Sequence, residues 1–266
     1  MAAPPDESPQ IDKRSGYFGK LSPFPKDLGR RFALAMARDP GNAARPAATL
    51  LWRELGAVAD SVARLSRPAM AVEPASDPQV VIMIPGFLTH PVKMRHFARQ
   101  LERAGHTVKR WGLGFNFGAT AENFDFVARR VCEVSERYGR PVVLVGWSLG
   151  GIFAREVAKR HPAAVQKVIT MGTPFSGSPY ANNAWRLYQM VAGHSVEEPP
   201  IETNSAEKPP VETVALWSPR DGVISPRSAA GWPGERDRAI ALRCTHIGFS
   251  NGEEAIRTVL SELSAS

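Results

Sequence analysis

Cysteine is scarce in this chain: Cys132 and Cys244 are the only two among 266 residues. Two thiols cannot make the bridge framework of a small secreted scaffold, and no Cys/His cluster stands at the spacing of a structural metal site. No apolar run approaches the roughly 20 residues that span a bilayer. The opening Met-Ala-Ala-Pro-Pro-Asp-Glu-Ser has neither a basic nor an apolar region, so no secretory signal is recognised and the cytoplasm is the expected compartment. Aromatic residues are 8% of the total and are not interleaved with basic ones. Thus, although 33 Lys and Arg against 26 Asp and Glu leave a charge of +7, no nucleic-acid partner is expected. The densest basic patch (Lys93, Arg95, Arg99, Arg103, Lys109 and Arg110) reads as a solvated face.

What is present is ordinary globular material, 43% apolar and 22% charged. A chain of this length buries about 70–75% of its unfolded surface without a covalent staple. Residues 1–25 carry five prolines among polar side chains and read as a loose arm. Two helical patterns follow. The first, about Lys26 to Arg38, places Leu28, Phe32 and Met36 on one face and stops at Asp39-Pro40-Gly41. The second, about Pro46 to Arg67, carries the stripe Leu51, Leu55, Val58, Val62 and Leu65. Residues 1–75 are therefore expected to form an arm and helical extension, and residues 76–266 the main domain.

From residue 79 onward the pattern changes. Gln79–Ile84, Thr107–Trp111, Pro141–Trp147, Gln166–Met171, Glu212–Ser218 and Ala239–Cys244 are short, largely β-branched apolar runs with helical patterns between most of them. Such alternation predicts an α/β fold: a mostly parallel central sheet of about six strands, covered by helices on both faces. The alternation breaks between Thr173 and Pro210, where a lid-like insertion over about 177–210 is expected.

The chemistry is concentrated in Pro141-Val-Val-Leu-Val-Gly146-Trp147-Ser148-Leu149-Gly150-Gly151. It is a Gly-x-Ser-x-Gly sequence between a buried-strand signal and a helix signal, the context that gives the motif meaning. A sharp turn there lifts Ser148 to the head of the sheet, against a helix N-terminus whose amides favour developing negative charge. A serine hydroxyl needs a neighbouring base. In this architecture the order along the chain is nucleophile, acid, base. His246 follows the last strand and precedes the final helix, so it is the expected base, whereas His161 fits a helix C-cap and His194 lies in the insertion. Asp221, in Pro219-Arg220-Asp221-Gly222 after a strand, is the expected acid that orients the imidazole. Backbone amides of Leu149 and Phe87, with Leu88 second, are the expected oxyanion donors. Leu88, Trp147, Phe115 and Phe175 are candidates to line an apolar acyl pocket, each also readable as packing.

With these residues in hand, the chain from about Val80 onward resembles the α/β-hydrolases, most of all their lipase and esterase branch. The resemblance rests on Pro85-Gly86-Phe87, Trp111-Gly-Leu-Gly-Phe-Asn116, Gly146-Trp-Ser148-Leu-Gly150-Gly, Gly172-Thr-Pro-Phe-Ser-Gly177, Asp221-Gly222 and His246. It departs from the pattern at Pro85-Gly86, where many lipases carry His-Gly. The resemblance implies a serine hydrolase cleaving carboxylic esters of apolar acyl groups through an acyl-enzyme. No metal or organic cofactor is implied. A thioesterase, amidase or acyltransferase would use the same triad, and a binding protein could keep the fold without the chemistry. The expected partner is a small ester or lipid-like molecule. The N-terminal helices, with Arg30, Arg31 and Arg38 beside Leu28, Phe32 and Met36, are candidates for peripheral membrane contact or for a homodimer.

Overall fold

A computed structural model of the chain describes residues 27–38, 41, 43–63, 70–201 and 203–265. The arm expected over residues 1–25 lies outside them. Six strands form one parallel sheet: β1 (Val80–Ile84), β2 (Thr107–Arg110), β3 (Val142–Trp147), β4 (Val165–Met171), β5 (Glu212–Trp217) and β6 (Arg238–Ala241). Their spatial order is β2-β1-β3-β4-β5-β6. Each begins and ends within three residues of its expected run, because short β-branched stretches bounded by turn residues leave few alternatives.

The central strands β1 and β3 are covered on both faces, and the side-chain alternation shows why they are apolar throughout, whereas the edge strands β2 and β6 carry Lys and Arg and have no buried residue. Val80, Ile82, Ile84, Val142 and Leu144 pack with Phe124, Val127 and Val131 of helix α4 (Ala121–Tyr138) and with Phe153 and Val157 of α5 (Leu149–Arg160). Their immediate neighbours Val81, Met83, Val143 and Val145 pack on the opposite face. There they meet Phe97 and Leu101 of α3 (Arg95–Arg103) and Ile256, Val259 and Leu263 of α8 (Glu253–Ser264). Period-2 geometry sends consecutive residues to opposite sides, so a sheet with two covered faces needs hydrophobic residues at every position.

Chain direction through the sheet sets the place of the site. From β1 the chain moves outward to β2, then returns across β1 to β3 and proceeds the other way. The loops that leave β1 and β3 therefore part company at their carboxyl ends and open a crevice there, the usual binding position in a sheet of this kind. Ser148 follows β3 and Phe87 follows β1.

The N-terminal segment forms two helices, α1 (Leu28–Ala35) and α2 (Ala48–Ala63). Helix α1 lies on α6 (Trp185–Ala192), the one helix of the insertion among the described residues. Hydrogen bonds fix the contact: Arg31 donates to the carbonyls of Met190 and Val191, and Gln189 of α6 donates to the Leu34 carbonyl. Leu28, Phe32 and Met36 consequently point outward and are 55%, 63% and 66% exposed. On α2, Leu51 of the expected apolar stripe is exposed while Glu54 is buried. The side chains of Leu55, Val58 and Val62, and Leu65 altogether, lie outside the described residues. Among the described residues no helix is long and apolar enough to cross a membrane.

Candidate active site

Ser148 occupies a left-handed backbone conformation, φ 54° and ψ −124°, between the last residue of β3 and the first of α5. Only two non-glycine residues, Ser148 and Leu88, have positive φ among those described. For a residue with a Cβ this conformation is costly, so the surroundings must impose it. The Ser148 amide donates to the Met171 carbonyl at 2.8 Å, and the Ser148 carbonyl accepts from Gly151 at 2.9 Å. The flanking glycines make room: a methyl group at Gly146 would lie 2.5 Å from the Gly150 oxygen, and one at Gly150 would lie 2.3 Å from the Ile84 oxygen. Ala at either position cannot be accommodated without moving backbone.

Asp221 and His246 arrive from loops after β5 and β6. His246 Nδ1 and Asp221 Oδ2 are 2.8 Å apart. The other carboxylate oxygen, Oδ1, accepts from the amides of Val223 and Ile224, both at 2.8 Å. One aspartate thus closes its own turn and orients the imidazole, and both groups are buried, at 1% and 6% exposure. Nδ1 being engaged by Asp221, Nε2 is the ring nitrogen left for another partner. His246 is held beside the elbow by Trp147, whose indole Nε1 donates to the His246 carbonyl at 3.1 Å. Burial pulls the imidazole pKa down, but the Asp221 charge and hydrogen bond, with the Glu54 charge added, outweigh it and leave the pKa raised.

A cavity of about 150 Å³ opens at Ser148. Phe87, Leu149 and Ile152 line it from the sheet side, and Trp185, Tyr188 and Ile201 from the insertion. Its wall is mainly apolar. Burial pushes the Tyr188 phenol up to about 12, so it remains protonated at neutral pH. Its oxygen stands 3.4 Å from His194 Nε2 and accepts from the Ala119 amide at 3.4 Å.

The structure therefore brings Phe87, Ser148 and Leu149 to one cavity and Asp221 and His246 to one hydrogen bond. It does not bring the other pocket candidates there. Trp147 is buried and supports the His246 backbone. Phe175 is buried beneath the Arg155 guanidinium, 4.1 Å from its ring centroid. Phe115 is 54% exposed and stacks on Phe117. Leu88 is absent from the cavity wall, and its amide donates to the Asn116 carbonyl at 2.7 Å, which removes it as an oxyanion donor. His90 caps the short turn Pro91–Met94 by accepting from the Val92 amide. Besides the expected Phe87, the aromatic residues of the cavity, Trp185 and Tyr188, come from helix α6 of the insertion. A motif search cannot find them, because no local pattern says where this helix folds back onto the sheet. Cys132 and Cys244 are unpaired thiols, and no cluster of metal-ligating side chains occurs among the described residues.

Comparison with known proteins agrees with this architecture. Residues 79–191 match the model of a family described as having the alpha/beta hydrolase fold. The chain has the α/β-hydrolase fold. Over 68 residues it is 37% identical to a pimeloyl-[acyl-carrier protein] methyl ester esterase of Klebsiella pneumoniae (strain 342), a match spanning 26% of this chain and 25% of that relative. Among solved structures, the mature form of a Bacillus licheniformis lipase aligns with a TM-score of 0.53 at 17% identity, covering 73% of this chain and 96% of the lipase. A monoacylglycerol lipase of Paleococcus ferrophilus aligns with a TM-score of 0.51 at 14% identity, covering 73% and 96%. At such identities the structural likeness is one of fold.

Proposed function

We propose that this protein is a serine hydrolase of carboxylic esters with apolar acyl groups. The observation that carries the reading is the 2.8 Å contact of His246 with Asp221, with the His246 backbone bonded to Trp147, the residue before a strained Ser148 at the mouth of an apolar cavity. Ser148 Oγ attacks the ester carbonyl as His246 Nε2 takes its proton. The oxyanion is stabilised by the amides of Leu149, at the N-terminus of a 12-residue helix, and Phe87. Collapse of the tetrahedral intermediate breaks the C–O bond, and His246 returns the proton to the departing alcohol. Water, deprotonated by His246, then attacks the acyl-serine, releasing the acid and restoring the hydroxyl. The partial match to a methyl ester esterase supports an ester as the bond cleaved.

The test is labelling with a fluorophosphonate, read by intact and peptide mass spectrometry beside Ser148→Ala. One adduct on Ser148, absent from the variant and accompanied by hydrolysis of p-nitrophenyl esters, is the expected result. A folded protein that takes no adduct would refute the reading. The outward Leu28, Phe32 and Met36 with the exposed Arg30 and Arg38 support contact with an anionic lipid surface as the place where the substrate is met.

A further inference from the structure

The triad loops are fastened by a residue that lies far outside the catalytic sequence. Glu54, on α2, is 5% exposed. Its Oε1 accepts from the amide of Gly222 at 3.0 Å and from that of His246 at 2.7 Å, and its Oε2 accepts from Ile247 at 3.0 Å. One carboxylate thus binds the residue after the acid, the base itself and the residue after the base. The separation in sequence is 168 residues to Gly222 and 192 to His246. The helix approaches closely enough that a methyl group at Gly222 would lie 2.5 Å from the Leu50 carbonyl oxygen.

From this geometry we infer that Glu54 is the positioning residue of the hydrolytic site, setting the Asp221 and His246 loops in register and placing a second negative charge near the imidazole. The inference rests on the ester-hydrolase reading for its consequence in catalysis. Two backbone loops that converge through a single pair of side chains can slide by an ångström, and such misplacement is costly to proton transfer. Three charge-assisted hydrogen bonds to one rigidly held carboxylate remove that freedom. The extension is then part of the active site rather than an appendage. The charges facing His246 are Asp221, from the loop after β5, and Glu54, from α2; the rings of Trp147 and Phe249 complete its surroundings.

Glu54→Gln separates positioning from mere packing. Glutamine keeps the shape and one acceptor oxygen, but its NH2 group meets an amide donor where Oε2 accepted one, and the charge is lost. Removing a negative charge disfavours imidazolium, so the His246 pKa must fall. It is read in the full chain by titrating the histidine ring protons by NMR, the six histidines being resolved with a His246→Gln reference. Expected are a pKa lower by about half a unit or more, fluorophosphonate labelling slowed about tenfold at a pH where His246 is neutral, and partial recovery in Glu54→Asp. Arg53→Gln, the exposed neighbour, should change neither. Gly222→Ala, which pushes α2 away without touching the carboxylate, should slow labelling in the same direction. An unshifted His246 pKa in Glu54→Gln, together with labelling within twofold of wild type, would overturn the inference even if the melting temperature dropped. If wild-type Ser148 takes no label, the hydrolase reading fails, and the NMR titration still decides the role of Glu54.

Discussion

Asp221 illustrates how one side chain can satisfy two structural demands. Oδ1 closes the turn to Val223 and Ile224, as an aspartate before glycine does anywhere, and Oδ2 faces His246. Asp221→Asn should preserve the turn, since its oxygen can still accept both amides. Its NH2 group would face Nδ1 and favour the wrong imidazole tautomer, so ester turnover should fall by about 10³–10⁴-fold with little change in melting temperature. The acid limb of kcat/KM belongs to the same pair. His246 must be neutral to act as base, and its pKa is raised above the ordinary 6.5. The fraction of neutral imidazole is therefore lost earlier as pH falls, and the midpoint of the acid limb should lie above 6.5. A profile of kcat/KM from pH 5 to 9 on a p-nitrophenyl ester checks this.

At the scale of elements, the insertion is attached to the sheet by an arginine on α5, the helix that follows Ser148. Arg155 is 1% exposed. Its guanidinium donates to the carbonyls of Ser205, Ala206 and Glu207 in the insertion and of Glu235 before β6, at 2.9–3.3 Å. Burial lowers its pKa to about 10, which still leaves it charged at neutral pH. Four carbonyls that face one another need this single polyvalent donor. Arg155→Met fills the volume but strands them, and should cost about 3 kcal/mol in urea unfolding. The insertion walls the cavity with Trp185, Tyr188 and Ile201. The same variant should therefore raise KM for apolar esters more than it lowers kcat.

Across the whole molecule, α1 docks through Arg31, Leu34 and Ala35 and leaves Leu28, Phe32 and Met36 outward, where an ordinary surface helix would bury its largest apolar side chains. The reason lies in the partner: α6 presents the carbonyls of Met190 and Val191, and Arg31 is the side chain able to bond both. Phe32 and Met36 are left in water, with Leu187 and Met190 of α6 also exposed. Co-sedimentation with vesicles containing anionic lipid should be reduced several-fold by the pair Phe32→Ser and Met36→Ser, and weakened by salt. Equal sedimentation of wild type and variant would remove the lipid surface as partner, and a change from dimer to monomer in light scattering would point to self-association instead.

The sequence by itself determined the six strands, the helices between them and the elbow. Each depends on local patterns: β-branched runs buried on both faces, a 3.6-residue period, and glycines packed against backbone on either side of Ser148. It also ordered Ser148, Asp221 and His246 along the chain, since turns after strands are legible from Asp-Gly and from where an apolar run stops. Tertiary structure alone decided what surrounds them. Phe115 reads as a pocket aromatic and is on the surface, Trp147 became a support for His246, and part of the cavity wall came from Trp185 and Tyr188 on helix α6, whose place against the sheet no local pattern specifies. Glu54 is the plainest case. Nothing in the second helical pattern singles it out, and only the folded chain places three amides around it. Local patterns fix elements because their energetics are short-ranged, whereas a buried carboxylate is specified by donors contributed from loops more than 160 residues away.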